Sequence, residues 1–118
     1  MVTNRLSYLN FGAAKYEGAA DNYVRFTMDH QLMNAKTWQD FVEVFRHDSD
    51  VEDRGWRCEY WGKMMRGAAL TYMYNGDEAL YTVLEDTVRD LLTAQREDGR
   101  FSTYASDYQL CGWDLWGR

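Results

Sequence analysis

The stretch WRCEYWGKMMRGAALTYMYNGDEALYTVLEDTVRDLL, residues 56–92, decides the fold class. Apolar or small side chains recur at helical spacing through Tyr60, Trp61, Met64, Met65, Ala68, Ala69 and Tyr72. That rhythm predicts a helix from about Trp56 to Tyr74. Asn75-Gly76 then breaks it, with Gly76 suited to the left-handed position that closes a helix. Asp77 is the expected N-cap of the next helix, and Glu78 places a negative charge at its positive end. Leu80, Val83, Leu84, Val88, Leu91 and Leu92 form the clearest apolar stripe in the chain. Two helices joined by so short a turn must be an antiparallel hairpin.

Working toward the N-terminus, Thr37 to Arg46 predicts a short amphipathic helix through Trp38, Phe41, Val42 and Phe45. Another is expected from Asp21 to Met33, with Asp21 as its cap and Val24, Phe26, Met28 and Leu32 as its stripe. Residues 1–20 are weakly patterned and read as an arm or loop. The polar run from His47 to Gly55 carries Asp48, Asp50 and Asp53 but lacks the central Gly and terminal Glu of a calcium loop, so it reads as a solvated loop. Toward the C-terminus, Glu97-Asp98-Gly99 ends the last helix and Arg100 to Tyr104 reads as a short extended segment.

The composition agrees with a packed helical fold. There is no Pro in 118 residues, and 46% of them are hydrophobic, 16% aromatic. Disordered chains are poor in aromatics. A formal net charge of −6 disfavours phosphate backbones, so nucleic acid is not an expected partner. No apolar run approaches the roughly 20 residues of a membrane helix, and the first residues carry no signal pattern, so a cytoplasmic protein is expected. Cys58 and Cys111, without a paired-Cys motif, read as small apolar fillers, so no metal or cofactor is expected in the chain.

An internal repeat organises the second half. Gly55-Trp56 followed by Glu59, Trp61, Gly62 and Lys63 is echoed by Gly112-Trp113 followed by Asp114, Trp116, Gly117 and Arg118. Glu59 and Asp114 lie 55 positions apart, as do Trp61 and Trp116, Gly62 and Gly117, and Lys63 and Arg118. A unit of that length holds two helices with their loops and stacks on its neighbours, in a solenoid or a closed ring.

The segment Arg57 to Tyr72, the segment Leu91 to Tyr104 with its Gln95, Glu97, Asp98-Gly99 and Thr103-Tyr104, and the segment Gly112 to Arg118 together resemble the bacterial β-L-arabinofuranosidase family of glycoside hydrolases. The resemblance covers about residues 20–118 and is strongest after Trp56. It implies an all-α fold of antiparallel hairpins forming an incomplete part of an (α/α)6 toroid. Residues 21–118 would be the N-terminal portion of that domain, and the parent would release L-arabinofuranose or a related sugar from plant-type glycans with retention. The family's nucleophilic Cys, its zinc-binding Cys and Glu residues and its acid/base Glu have no counterparts here. The resemblance therefore implies zinc only for a region outside this chain, and the chain alone is expected to be inactive. Where the family commonly shows His-Glu-Leu-Tyr, Trp113-Asp114-Leu115-Trp116 stand instead.

Glu59 and Asp114 are the candidate cleft acids. Adjacent helix axes lie about 8–10 Å apart, whereas a retaining pair needs carboxyls about 5 Å apart, so contact with a sugar hydroxyl suits them better than catalysis. Trp56, Trp113 and Tyr104 are candidates for stacking on sugar faces. Lys63, one turn beyond Glu59, reads as its ion-pair partner. His30 and His47 read as surface or capping residues. If one flank of an incomplete ring is open, Trp56, Trp61, Met64, Met65, Trp113 and Trp116 would border it, which favours self-association or cover by further helices. The alternative reading is a non-catalytic helical module that binds itself or a partner.

Overall fold

A computed structural model describes residues 9–51 and 57–110. The chain is all-α, and the described residues form four α-helices and no strand. These are α1 (Ala19–Thr27), α2 (Ala35–His47), α3 (Cys58–Asn75) and α4 (Glu78–Thr93), with a π-helical turn at Met28–Leu32 and a 3-10 turn at Ser106–Tyr108. None of these helices is long and apolar enough to cross a membrane.

The hairpin forms as the sequence dictates. Gly76 adopts φ 66°, and its N–H donates to the Tyr72 carbonyl at 2.8 Å, closing α3. The Asp77 carboxylate accepts from the N–H groups of Ala79 at 2.9 Å and Leu80 at 3.0 Å, opening α4. Helix α2 starts two residues earlier than the stripe suggested, because the Asn34 side chain accepts from Thr37 N–H and supplies the cap. Asp21 is not a cap. It sits in the first turn of α1 and accepts from Arg25 Nε at 2.7 Å and from the Tyr74 hydroxyl at 2.6 Å. Those two bonds, Arg25's first, hold its carboxyl below the usual carboxylate range, so this tie of α1 to α3 is intact at neutral pH and is lost as pH falls through that lowered value.

The π turn is the departure that periodicity did not foretell. The Met33 N–H reaches back to the Met28 carbonyl at 2.9 Å, which rotates Met28 and Leu32 inward. The Leu32 carbonyl then accepts from Trp38 Nε1 at 2.7 Å, so a buried indole N–H and a helix-end acceptor satisfy each other. Around this bond gather Met28, Leu32, Trp38, Ala68, Leu80 and Leu84, with α2 packed against both α3 and α4. Phe45, Cys58 and Tyr104 form a second, smaller cluster. Trp61 touches both clusters.

The expected open flank is not built from Trp61, Met64 and Met65. All three are partly buried and pack against the first cluster, since α2 and α4 already cover the face of α3 that carries them. Trp56, Trp113 and Trp116 lie outside the described residues. Exposed apolar side chains sit elsewhere, at Leu9, Phe11 and Tyr16 of the arm and at Leu70 and Met73 of α3. The arm is held along α3 by the Gly12 N–H on the Met73 carbonyl, by the stacked pair Tyr16–Tyr74 at 5.1 Å and by the edge contact of Phe11 with Tyr72 at 5.2 Å.

Two substitutions separate the local from the packing contribution. Asp77→Ala removes a cap and is expected to cost about 1 kcal/mol. Leu80→Ala empties a fully buried site beside the Leu32–Trp38 bond and is expected to cost about 2–5 kcal/mol. Urea denaturation followed by circular dichroism reads both, and equal costs would contradict this division.

Candidate functional site

The site begins with a loop that folds back on itself. After α4, the Gly99 N–H donates to the Arg96 carbonyl at 2.8 Å and the Arg96 N–H to the Arg100 carbonyl at 3.0 Å. Gly99 makes this turn possible by adopting φ 85°, and Gln95 Nε2 donates to its carbonyl at 2.7 Å. The turn brings Phe101 edge-on to Phe45, ring centres 6.3 Å apart.

The chain beyond the turn is fixed by Asp50. Its N–H donates to the Thr103 carbonyl at 2.9 Å and its carbonyl accepts from the Ala105 N–H at 3.0 Å, a single parallel bridge. Its buried carboxylate accepts from the Thr103 hydroxyl at 2.7 Å and from Arg57 Nε at 2.6 Å. Arg57 also reaches the Ser49 hydroxyl at 2.6 Å, and Arg96 pairs with Asp48. Within the acidic run Asp50 is therefore not solvated but 4% exposed, while Ser49 and Val51 remain at the surface. Asp50 is paired with Arg57, seven positions on, and Asp48 with Arg96, 48 positions on. Asp53 lies outside the described residues.

Between the turn and α3 lies a cleft of about 610 Å³. Cys58, Glu59, Trp61, Gly62, Lys63 and Arg66 of α3 form one wall, while Phe45 of α2, Leu91 of α4 and Gly99 to Phe101 complete it. Its floor is apolar and its rim charged. Glu59, in the first turn of α3, accepts from Lys63 Nζ at 3.0 Å, as their spacing predicts, and its side chain is 18% exposed. Arg100 on the opposite wall pairs with Asp98 at 2.5 Å. Arg66 has no ion-pair or hydrogen-bond partner among the described residues. A second cleft, of about 430 Å³ between α2 and α4, is lined by Glu43, Asp86 and Asp90, but Arg46 already pairs with Glu43 at 2.9 Å and Asp90 at 2.7 Å. The cleft beside Glu59 is the better candidate because its lining is mainly apolar, with Trp61 and Phe101 beside the Glu59 carboxylate.

Of the sequence-expected site residues among those described, Glu59 faces this cleft and Tyr104 does not. Tyr104 is 1% exposed and packs with Phe45 and Cys58, so the structure makes it a core residue with no open ring face for a sugar. The register imposed by Asp50 turns it inward. Trp56, Trp113 and Asp114 lie outside the described residues. Arg66 and Phe101 were not anticipated. Arg66 was within reach of the sequence, since Glu59, Lys63 and Arg66 follow the i, i+4, i+7 rhythm of one helix face. Phe101 was not, because its place depends on the turn at Gly99.

Chemically the cleft can bind rather than hydrolyse by a carboxyl pair. Glu59 is the one acid among its described lining residues, and retention needs two. The described residues offer no group of His, Cys, Asp and Glu fit to hold a metal, and Cys58 is buried in an aromatic cluster. His30 and His47 are exposed, His30 stacked on Phe26 and His47 beside Glu43. The chain matches no family model, no curated protein and no solved structure at a significant level.

The Asp50 latch makes a direct prediction. Asp50→Asn keeps the shape but removes the charge facing Arg57, and is expected to cost about 1.5–3 kcal/mol. Ser49→Ala removes the exposed branch of the same contact and should stay within about 0.5 kcal/mol. Thermal denaturation of both variants checks the ranking, and indistinguishable midpoints would show that Asp50 is not the fastening point.

Proposed function

We propose that the cleft at the start of α3 binds carbohydrate, and that these helices are the N-terminal part of an (α/α)6-toroid glycoside hydrolase of the β-L-arabinofuranosidase kind. Its substrates are L-arabinofuranosyl or related plant-type glycans. In this reading the chain supplies one wall of the sugar site while the catalytic cluster, with its zinc, belongs to a region outside these residues. One observation carries the proposal: a half-shielded carboxylate, Glu59, stands in the first turn of a helix beside an apolar cleft lined by Trp61 and Phe101. Sugars ask for that combination, an acceptor for hydroxyl groups next to aromatic surface for their C–H faces. The first turn of α3 also favours a negative group there.

Calorimetric titration with methyl β-L-arabinofuranoside is expected to show binding that Glu59→Gln weakens about ten-fold, the loss of one charge-assisted hydrogen bond. An aryl β-L-arabinofuranoside should release no phenol above a heat-treated control. Hydrolysis by these 118 residues, or the absence of any sugar binding, would sink the proposal.

A second reading is favoured by the exposed Leu9, Leu70 and Met73, which line one shallow depression with Tyr16 and Val24. It makes the chain a helical module that associates with itself through this face. Light scattering after size exclusion at micromolar concentration is the check. This reading expects a dimer that Leu70→Glu disperses, and a monomer at every concentration rules it out.

A further inference from the structure

We infer that the sugar accepted by the cleft beside α3 is acidic, a uronate whose carboxylate pairs with Arg66. This rests on the carbohydrate reading and narrows it. Among the described residues four ionic side chains line the cleft: Glu59, Lys63, Arg66 and Arg100. Glu59 and Lys63 satisfy each other at 3.0 Å, and Arg100 is held by Asp98. Arg66 is left over, an exposed guanidinium with no partner among the described residues, at the charged rim of the cleft. The surplus is positive although the chain as a whole carries −6. A local field of that sign against the net charge selects an anion.

The kind of anion follows from geometry. A single guanidinium matches one planar carboxylate through two parallel hydrogen bonds, whereas phosphate sites gather several cations or a run of backbone N–H groups. The remaining surface, from Trp61, Phe101, Phe45 and Leu91, suits the ring that carries the carboxylate. Gly62 lines the cleft without filling it, since a Cβ built there would meet nothing within 4 Å. A cleft of about 610 Å³ has room for one or two sugar rings.

The test compares methyl galacturonide with methyl galactoside, which differ in the carboxylate alone, by calorimetry on the whole chain. The galacturonide is expected to bind about ten-fold more tightly. That advantage should shrink as salt is raised, vanish in Arg66→Gln and survive in part in Arg66→Lys. Arg66 is exposed, so the variants should fold, and circular dichroism confirms it. Gly62→Leu, which fills part of the cleft without touching any charge, should weaken both sugars together. Equal binding of the two sugars would overturn the acidic specificity and leave the carbohydrate reading standing. Acetate binding as tightly as the galacturonide would show an anion site with no sugar selectivity and overturn this inference. Binding of neither sugar overturns this inference, and the arabinofuranoside titration decides the carbohydrate reading separately.

Discussion

A single buried carboxylate fastens two segments that are more than fifty residues apart in sequence. Asp50 accepts from Arg57 on one side and from Thr103 on the other, while its backbone exchanges hydrogen bonds with Thr103 and Ala105. A buried charge is tolerated only when its lone pairs are answered, and here a guanidinium and a hydroxyl answer them. The consequences run outward from that point. With residues 102–104 pinned, Tyr104 fills the space between Phe45 and Cys58, and Phe101 is left facing the cleft. Without the latch there is no second wall opposite α3.

Trp61 carries the arrangement into the main core. Its indole N–H donates to the Thr87 hydroxyl at 2.9 Å, tying α3 to α4, and its ring meets Trp38 edge-on at 6.3 Å. The same side chain lines the cleft. A residue locked by a hydrogen bond on one edge and by aromatic packing on another gives a binding surface that needs no ordering when a ligand arrives. The first core, set by the Leu32–Trp38 bond, therefore supports the cleft through one rigid ring.

How far the sequence could be read follows from which signals were local. The turn of the α3–α4 hairpin was legible, because Asn75-Gly76-Asp77 states the stop, the left-handed residue and the next cap within three positions. Helix α4, by contrast, ends at Thr93, short of the Glu97-Asp98-Gly99 stop that the sequence suggests. The Glu59–Lys63 pair was legible from spacing alone. The π turn at Met28–Leu32 was not, since its apolar residues fit an ordinary helical stripe as well. The burial of Asp50 was not legible for a related reason: Thr103, which covers its other side, is brought there by the tertiary fold. The burial of Tyr104 was hidden in the same way, because an aromatic residue in a polar segment reads as exposed until the segment is known to be latched inward. Trp61, Met64 and Met65 border no open flank because α2 and α4 pack over the face of α3 that carries them, a contact that periodicity does not reveal.

Gly62 shows where stability and site diverge. It stands in the first half of an 18-residue helix, at ordinary helical φ, where alanine would be favoured by about 1 kcal/mol. No neighbouring atom within 4 Å forbids a Cβ, so close packing between helices does not explain the glycine. The same holds for Gly67, one and a half turns further on, beside a shallow groove lined by Phe41 and Tyr60. Inside this chain both glycines weaken α3 without a return in packing. At Gly62 the return is space, for a side chain there would project into the cleft that Glu59, Trp61 and Arg66 line. The helix gives up propensity at a residue that lines the cleft, and the interlocked Trp61, one residue earlier, holds the wall in place.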